Sequence, residues 1–261
     1  MMVDFALARG KGDAAMGKLE SYDKRLDYSY APGLFPATEC LKNAPERCLR
    51  LLLHSQSEGS EGAASLREAA ERAGIRCEVA DRALERISRK ENCFAAMVYR
   101  KAEGTFDSRA PHIVLHNPSD SGNLGTILRT ALGFGFVNVA IIRPAVDSDD
   151  PRVTRASMGA AFSLNVRHFD SFEAYRQEFP DRRLFPFMLT GAVPLEEAVR
   201  RIDGPYALVF GNEATGLPDA FAQLGVSTLI PHSARIDSLN LAIAAGIGMH
   251  AFAQASAAGL T

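Results

Sequence analysis

Apolar runs alternate with helical patterns along most of the chain, in two stretches separated by a polar segment. From about 28 to 101 the apolar runs are short, as at 48–54, and alternate with stretches rich in Ala, Glu and Arg. From 112 to 252 they are longer and nearly continuous, with helical patterns between or after most of them. Near-continuous apolar strands separated by helices are typical of a parallel sheet covered on both faces. The pattern therefore predicts an α/β fold.

The polar segments predict how the chain is divided. We interpret 1–27 as an N-terminal arm, 28–101 as a small α/β unit, 102–111 as a linker containing Gly and Pro, and 112–261 as a larger α/β unit. Ligands of open parallel sheets bind beyond the carboxyl ends of the strands. We therefore look for chemistry where the strands of the larger unit end.

Composition and charge narrow the class of protein. The 261 residues are 47% hydrophobic and 23% charged, as in ordinary globular proteins. The longest apolar stretch, 239–252, is interrupted by polar residues and is shorter than the roughly 20 residues that span a bilayer. The start of the chain lacks the apolar core of a secretory signal, and the four cysteines lack the paired spacing of a zinc site. We expect a cytoplasmic protein with no membrane span and no metal.

The net charge of −2 argues against indiscriminate nucleic-acid binding, although it does not tell where the charges cluster. Every Lys or Arg after residue 102 is arginine, which suits bidentate phosphate contacts. Genome composition alone could produce the same bias. Charge by itself therefore assigns no partner.

Polar residues follow the first predicted strand of the larger unit. A loop of Gly, Ser and Asn leads into a helix expected to begin near Asn123, whose free N–H groups could receive an anion. Arg129 lies six residues, more than one helical turn, further on. The alternative interpretation is a plain Asn N-cap followed by a surface arginine.

Two later strand ends are also unusual. Gly211 lets a ligand approach the backbone, Glu213 places a carboxylate at the sheet rim, and Gly216 belongs to a turn. The alternative there is a turn with an incidental solvated glutamate. Further on, Ser238 and Asn240 precede an apolar helix. Ser238 could be a simple N-cap of that helix. Asn240 is a poor helix former, so its presence there requires a specific hydrogen-bond partner.

Taken together, these segments resemble the SpoU/TrmH family of RNA ribose 2′-O-methyltransferases, within the SPOUT superfamily. Order and spacing agree over 112–252, about half of the chain. The smaller unit is similar in outline to the L30e-like substrate domain of that family, with Pro32 in place of the first acidic residue of its opening. The matching positions are Asn123, Gly125, Arg129 and Ala131 in the first motif, Gly211, Glu213 and Gly216 in the second, and Ile230, Pro231, Ser238, Leu239 and Asn240 in the third.

The resemblance implies S-adenosyl-L-methionine as cofactor, in a pocket built by a deep trefoil knot, which would be a rare exception to unknotted chain topology. Backbone groups of the pocket would suit adenine and ribose, and its apolar side chains would suit the ring faces. The implied cofactor-binding residues are Leu189, Thr190, Gly191, Phe210, Gly211, Asn212, Leu229, Ile230, Ser238, Leu239 and Asn240.

The resemblance also implies a catalytic set of Asn123, Arg129, Glu213, Ser238 and Asn240. The usual proposal for the family makes the arginine a base, but a guanidinium has a pKa above about 12, so its neutral form would be scarce. We favour an electrostatic role, in which Arg129 holds the phosphate next to the target ribose and stabilises developing alkoxide. Ser238 or Asn240 would orient the hydroxyl, and Glu213 would fix Arg129 or Asn123.

The implied partners are an RNA substrate, either rRNA or tRNA, and a second copy of the chain. The apolar helix at 241–253 is equally consistent with a dimer interface and with a buried core helix. In the smaller unit the cations at helical spacing form a possible RNA-facing patch, with a solvated charged face as the alternative. These cations are Arg82, Arg86, Arg89 and Lys90.

Two other classes of protein remain as alternatives. A non-catalytic RNA-binding protein could have kept the fold, but loss of activity should first show at the five catalytic positions, and all five are present. A dinucleotide-dependent enzyme needs G-x-G-x-x-G directly after the first strand, whereas Gly122 and Gly125 have the wrong spacing.

Overall fold

The computed structural model describes residues 19–57, 59–88 and 93–257. It contains two main sheets, one on each side of the predicted linker. The smaller sheet has the strand order β1-β4-β2-β3, with β4 antiparallel to both neighbours and β2 parallel to β3. Its strands are β1 (Tyr28–Pro32), β2 (Cys48–Leu53), β3 (Arg76–Val79) and β4 (Ala95–Arg100).

Three helices accompany this sheet: α1 (Leu34–Asn43), α2 (Glu61–Arg72) and α3 (Asp81–Ser88). Gly74 follows α2 with a φ of 73°, the left-handed conformation typical of a helix C-terminus. Buried side chains lie on both faces of the sheet, with Leu51 and Met97 in one cluster and Leu52 and Val98 in the other. The sheet therefore has its own core.

The larger sheet is entirely parallel, as predicted, with the order β7-β6-β5-β10-β8. Its strands are β5 (His112–His116), β6 (Asn138–Ile142), β7 (Asn165–Phe169), β8 (Arg183–Pro186) and β10 (Tyr206–Phe210). The short strands β9 (Val193–Pro194) and β11 (Thr228–Leu229) pair with each other. Strand β11 ends at Leu229, two residues before Pro231, which has no N–H to donate to a neighbouring strand.

Helices cover both faces of the larger sheet. They are α4 (Ser121–Gly133), α5 (Pro151–Ala156), α6 (Phe172–Glu178), α7 (Leu195–Ala198) and α8 (Leu241–Ala257). Leu128 of α4 and Phe252 of α8 pack with Phe185 on one face, while Tyr175 and Phe221 pack on the other. Short 3-10 helices lie at Pro45–Arg47, Ser55–Ser57, Ala160–Ser163, Val199–Arg201 and Asp219–Gln223.

Helix α4 begins earlier than expected. Asp120, not Asn123, is its N-cap, and the Asp120 carboxylate accepts a hydrogen bond from the Asn123 N–H at 2.7 Å. The glycine of the first motif also has a packing role, since a Cβ on Gly125 would lie 2.5 Å from the Ala156 Cβ. Only glycine lets α4 approach α5 this closely.

Polar contacts join the two sheets through the loop that follows β6. Tyr22 and Lys101 both donate to Asp147 Oδ2, at 2.7 and 2.9 Å. Arg47 pairs with Asp149 at 3.3 Å. We call Tyr22, Arg47, Lys101, Asp147 and Asp149 the inter-unit joint. In the part of the chain that the structure describes, no helix is long and apolar enough to cross a membrane.

Candidate active site

A cavity of about 420 Å³ opens at the carboxyl edge of the larger sheet, where β8 and β10 end and α8 begins. Crevices at this edge are the usual ligand sites of parallel α/β sheets, and this volume lies in the range of small-molecule sites. Nine of the eleven predicted cofactor-binding residues line it. They are Leu189, Thr190, Phe210, Gly211, Asn212, Leu229, Ile230, Ser238 and Leu239.

The other two predicted cofactor-binding residues lie outside the cavity lining. Gly191 occupies a turn with a φ of 64°, so its role there is conformational. Asn240 directly precedes α8, and its Oδ1 accepts hydrogen bonds from the N–H groups of Ala242 and Ile243 at 2.9 and 3.3 Å. Asn240 therefore caps this helix, and the alternative of a Ser238 N-cap is wrong.

The inner wall of the cavity is aromatic and aliphatic. The rings of Phe187 and Phe210 stack with centroids 4.4 Å apart, and Phe210 and Leu241 are buried. Leu189 and Ser238 are exposed at the rim. This arrangement offers flat apolar surfaces inside and polar groups at the mouth.

The loop after β10 is held by tight backbone contacts. A Cβ on Gly211 would lie 2.2 Å from the carbonyl carbon of Gly216, so this position has room only for glycine. Asn212 and Gly216 exchange backbone hydrogen bonds of 3.2 and 2.9 Å. The Asn212 side chain donates to the Asn117 carbonyl at 2.7 Å, which ties this loop to the loop after β5.

Glu213 connects the same two loops by accepting several hydrogen bonds. Its Oε2 accepts from the N–H and the hydroxyl of Ser119, at 3.0 and 2.8 Å. Its Oε1 accepts from the Asp120 N–H at 3.1 Å and from Asn123 Nδ2 at 3.3 Å. Partial burial by itself raises the pKa of Glu213, but hydrogen bonds from backbone N–H groups and the Ser119 hydroxyl outweigh burial and lower this pKa below its usual value. Glu213 is therefore held as a carboxylate.

The hydrogen bonds continue from Glu213 to the start of α8. Asn240 Nδ2 donates to Asn123 Oδ1 at 3.1 Å, so Asn123 links Glu213 to Asn240. We call Ser119, Asp120, Asn123, Glu213 and Asn240 the crevice joint. It brings together three of the five predicted catalytic residues, from three segments far apart in sequence. It also provides the specific partner that Asn240 was expected to need.

The start of α4 does not offer the open anion site that was expected. The Ser119 and Asp120 N–H groups donate to Glu213, and the Asn123 N–H donates to Asp120. Carboxylates of the chain itself occupy the place where an external anion would bind. These three N–H groups are therefore not available to an external anion.

Arg129 lies on the exposed side of α4, outside the cavity lining. Among the described residues it has no hydrogen bond or ion pair, and the four donors to Glu213 come from other residues. Of the two predicted arrangements, the structure therefore has Glu213 joined to Asn123 and not to Arg129. The Arg129 guanidinium remains available to a ligand that approaches from solvent.

The predicted basic patch is described only in part. Arg82 and Arg86 lie four residues apart on α3, both exposed, and Arg86 Nε donates to the Arg82 carbonyl at 3.2 Å. Arg89 and Lys90 lie outside the described residues. Elsewhere in the described chain, no group of three or more His, Cys, Asp or Glu is arranged to hold a metal ion.

Sequence reasoning missed several residues of the site. Ser119 and Asp120 carry no motif signal, because their part depends on a backbone turn that brings their N–H groups to Glu213. Asp219 lies against Thr190 across the cavity mouth, with 3.2 Å between Oδ1 and the threonine hydroxyl. The other lining residues not predicted include Phe187, Met188, Thr228, His232, Asp237, Leu241 and Ala244.

Comparison with known proteins assigns the chain to a family. The sequence model of the SpoU rRNA methylase family matches residues 110–250, more than half of the chain. The chain belongs to the SpoU rRNA methylase family. The matched region contains α4, the cavity and the crevice joint, so the site lies within the family's common domain.

The similarity to individual proteins is moderate. The chain is 32% identical over 151 residues to an uncharacterized tRNA/rRNA methyltransferase of Synechocystis, a match that covers 55% of this chain and 54% of the relative. It is 33% identical over 133 residues to the 23S rRNA (adenosine(1067)-2′-O)-methyltransferase of Streptomyces laurentii, covering 49% and 48%. The chain thus spans about half the length of these curated relatives.

Solved structures show the likeness over a larger part of the chain. The SpoU methyltransferase AviRb from Streptomyces viridochromogenes has a TM-score of 0.73 with this chain. The match covers 89% of this chain and 91% of AviRb, at 22% sequence identity. This likeness establishes the fold across both sheets.

Proposed function

We propose that this protein is an S-adenosyl-L-methionine-dependent methyltransferase that methylates a ribose 2′-hydroxyl in structured rRNA or tRNA. The observation that carries the proposal is the crevice joint, which holds Glu213, Asn123 and Asn240 together beside the cavity. Membership of the SpoU family supports the class of reaction. The activity in the name of the Streptomyces laurentii relative, methyl transfer to a 2′-oxygen of 23S rRNA, supports the ribose hydroxyl as acceptor.

The residues of the cavity fit this cofactor. The stacked Phe187 and Phe210 rings and the side chains of Ile230 and Leu239 provide flat apolar walls suited to adenine. Gly211 leaves the backbone uncovered by any side chain, and the Thr190 and Ser238 hydroxyls lie at the mouth for polar groups. The loops after β8, β10 and β11 would hold the cofactor, and we propose that they form the knot of the SPOUT superfamily.

The cofactor supplies an electrophilic methyl group on a sulfonium, so the chain must chiefly bind, orient and move a proton. Arg129, exposed and without an ion-pair partner in the described chain, binds the phosphate next to the target ribose and stabilises negative charge that develops on the 2′-oxygen. Ser238 orients the hydroxyl from the rim. Glu213 acts through Asn123 and Asn240, keeping the starts of α4 and α8 in place.

RNA recognition and assembly extend the proposal. The smaller unit, with exposed Arg82 and Arg86, is proposed to bind the RNA substrate as an L30e-like domain. Ile243 and Ile247 form an exposed apolar stripe on α8, with 56% and 38% of their surfaces accessible. This stripe supports a homodimer, because large apolar side chains exposed side by side are typical of interfaces. The expected location is the cytoplasm.

Calorimetry on purified protein freed of bound ligand tests the cofactor. We expect S-adenosyl-L-methionine to bind with measurable heat and NAD to give none, because no dinucleotide fingerprint follows β5. The Gly211→Ala variant should lose this binding, since the added methyl would meet Gly216. A Gly133→Ala control adds the same methyl at a helix position with open space. NAD binding without S-adenosyl-L-methionine binding would contradict the proposal.

A further inference from the structure

The charges that line the cavity all have the same sign. Among the described residues of the lining, Glu213, Asp219 and Asp237 are acidic, and none is lysine or arginine. The lining histidine, His232, has its Nδ1 2.8 Å from the Ile230 carbonyl oxygen. A ligand in this cavity therefore meets negative charge that no lining lysine or arginine balances.

Two of these acids are separate from the crevice joint. Asp219 begins the 3-10 helix after the β10 loop, and Thr190 donates to its Oδ1 at 3.2 Å. Asp237 is exposed on the loop between β11 and α8. Neither has an ion-pair partner in the described chain, and Arg235, on the same loop as Asp237, does not line the cavity. Both acids therefore line the cavity without a cation of the described chain to balance their charge.

We infer, on the basis of the proposed function, that Asp219 and Asp237 make the cavity prefer the positively charged S-adenosyl-L-methionine over the neutral product S-adenosyl-L-homocysteine. The two ligands share adenosine, ammonium and carboxylate groups, so the apolar walls and hydroxyls contact them alike. They differ in the sulfonium charge and its methyl group. A cavity whose charges are all negative distinguishes them through that charge.

The reaction removes this charge in one step. The 2′-oxygen forms a bond to the methyl carbon as the carbon–sulfur bond breaks, and both electrons of that bond stay on sulfur. The hydroxyl proton leaves to solvent, so the sulfonium becomes an uncharged thioether. The attraction to Asp219 and Asp237 ends with the transfer, which makes the product the weaker ligand and assists its replacement.

The expected size of this preference follows from Coulomb's law for a charge near an exposed carboxylate. A unit charge several ångströms from an exposed carboxylate gains an interaction that corresponds to about threefold in affinity per carboxylate at low ionic strength. The effect falls with salt, because the Debye length shortens from about 30 Å at 0.01 M to about 3 Å at 1 M. The preference should therefore depend on both acids and on salt.

The test compares dissociation constants of the two ligands by calorimetry, with no RNA and no turnover. In Asp219→Asn and Asp237→Asn, the ratio of product to cofactor dissociation constants should fall about threefold each, and in the double variant by about tenfold. Glu196→Gln is the matched control, an exposed acid on α7 outside the cavity lining, and should leave the ratio unchanged. In wild type the ratio should decrease at about 1 M salt.

The possible outcomes separate this inference from the proposed function. If both ligands bind and their ratio is the same in wild type, the double variant and high salt, the charge selection is overturned while the cofactor assignment stands. If neither ligand binds to wild type, both are overturned. Equal losses for the two ligands in the aspartate variants would show a structural role and would also overturn the inference. A fall of the ratio in the aspartate variants and in wild type at about 1 M salt, with no fall in Glu196→Gln, supports it.

Discussion

Two groups of carboxylates join distant segments of this protein, and they differ in how their charge is balanced. In the inter-unit joint, Asp147 pairs with Lys101 and Asp149 pairs with Arg47. In the crevice joint, Glu213 accepts only from neutral donors of the described chain. The first arrangement balances its charges internally, as a structural contact does. The second keeps an unbalanced carboxylate beside a cavity, so we infer a functional site there and a structural one at the inter-unit joint.

The pKa values reflect the same difference. Burial raises the pKa of Asp149, and the nearby Asp147 adds to this, although Arg47 opposes it. Burial also acts to raise the pKa of Asp147, but hydrogen bonds from Lys101 and Tyr22 outweigh it and lower this pKa. Glu213 reaches a lowered pKa through backbone N–H groups and a hydroxyl. A carboxylate can thus be kept ionised without a cation, which leaves its charge available to a ligand.

The largest expected effect is a loss of methyl transfer in Arg129→Lys, which is compared with the same substitution at Arg47. Arg129→Lys should reduce methyl transfer about 100- to 1,000-fold, because a lysine cannot reproduce the planar fork that is proposed to hold a phosphate and a developing alkoxide. Cofactor affinity should stay within a few fold, since Arg129 lies outside the cavity lining. Single-turnover methyl transfer and calorimetry measure the two quantities.

Arg47→Lys is the matched control at the inter-unit joint. Its guanidinium donates to the Arg100 carbonyl and lies 5.2 Å from the Tyr99 ring centroid, so its loss should reduce the free energy of unfolding by about 1 to 2 kcal/mol. Turnover of the folded protein should change little. Near wild-type turnover in Arg129→Lys would show that Arg129 has no part in catalysis. The proposed mechanism would then depend on Glu213 and Asn240.

Glu213→Gln should have the next largest effect on turnover. The amide group would turn its N–H donors toward the N–H group of either Ser119 or Asp120, which removes the hydrogen bonds on that side and costs about 1 to 3 kcal/mol of stability. Asn123 and Asn240 would shift, and a displacement of about 1 Å at a reacting centre lowers turnover about 100-fold.

The pH dependence of the free energy of unfolding tests the lowered pKa of Glu213. Because its folded pKa is lowered, its contribution is present above the unfolded value of about 4.3 and is lost as the pH falls through the folded pKa. The stability difference between wild type and Glu213→Gln should therefore shrink in acid. A constant difference from pH 7 down to acid unfolding would contradict the hydrogen-bonded carboxylate.

Two aspartates of the inter-unit joint should respond to pH in opposite ways. Asp147→Asn removes the partner of Lys101, whose side chain is 16% exposed, and should cost about 2 to 3 kcal/mol at pH 7. This difference in stability should shrink in acid. Because the folded pKa of Asp147 is lowered, wild type loses the stability that the carboxylate contributes as the pH falls through that pKa.

Asp149→Asn should cost less than Asp147→Asn at pH 7. The folded pKa of Asp149 is raised, so ionisation of Asp149 destabilises wild type as the pH rises from the unfolded value of about 3.9 through the folded one. The loss on substitution is therefore greater in acid than at pH 7. Urea unfolding at both pH values measures the two trends, and parallel trends would refute the assignment.

The smallest expected effect is at the cavity rim. Ser238→Ala removes the hydroxyl proposed to orient the substrate but leaves every charge in place, so turnover should fall about tenfold, or about 1.4 kcal/mol in activation free energy. Ser233→Ala on the same loop lies outside the cavity lining and serves as the control. Equal turnover in the two variants would remove Ser238 from the mechanism.

Much of the fold could be predicted because it depends on periodicity. Apolar runs such as 138–142 are buried on both faces of a parallel sheet, so the sequence signals β6 directly. The start of α4 was misplaced because Asp120 and Asn123 are both good N-caps, and only the turn before the helix selects Asp120. Helix boundaries of this kind depend on loop geometry.

The site could be predicted only where a motif marks it. Gly211 and Glu213 carry such a signal, and the structure explains why these residue types are needed. Gly211 lies against the backbone of Gly216, and Glu213 accepts four hydrogen bonds. Asp219 and Asp237 carry none, because an exposed aspartate in a loop has the same local pattern whether or not the fold turns it toward a cavity. That Glu213 bonds Asn123 and not Arg129 likewise depends on tertiary placement.

The most direct test of the account follows a labelled methyl group from S-adenosyl-L-methionine into RNA. Wild-type protein is incubated with rRNA and, separately, tRNA from cells lacking this protein, and the RNA is then digested to nucleosides. The account predicts label in 2′-O-methylated nucleosides of one of these RNAs, and at most about one hundredth of that rate with Arg129→Lys. Label on bases, or no label in either RNA while the protein binds the cofactor, would contradict it.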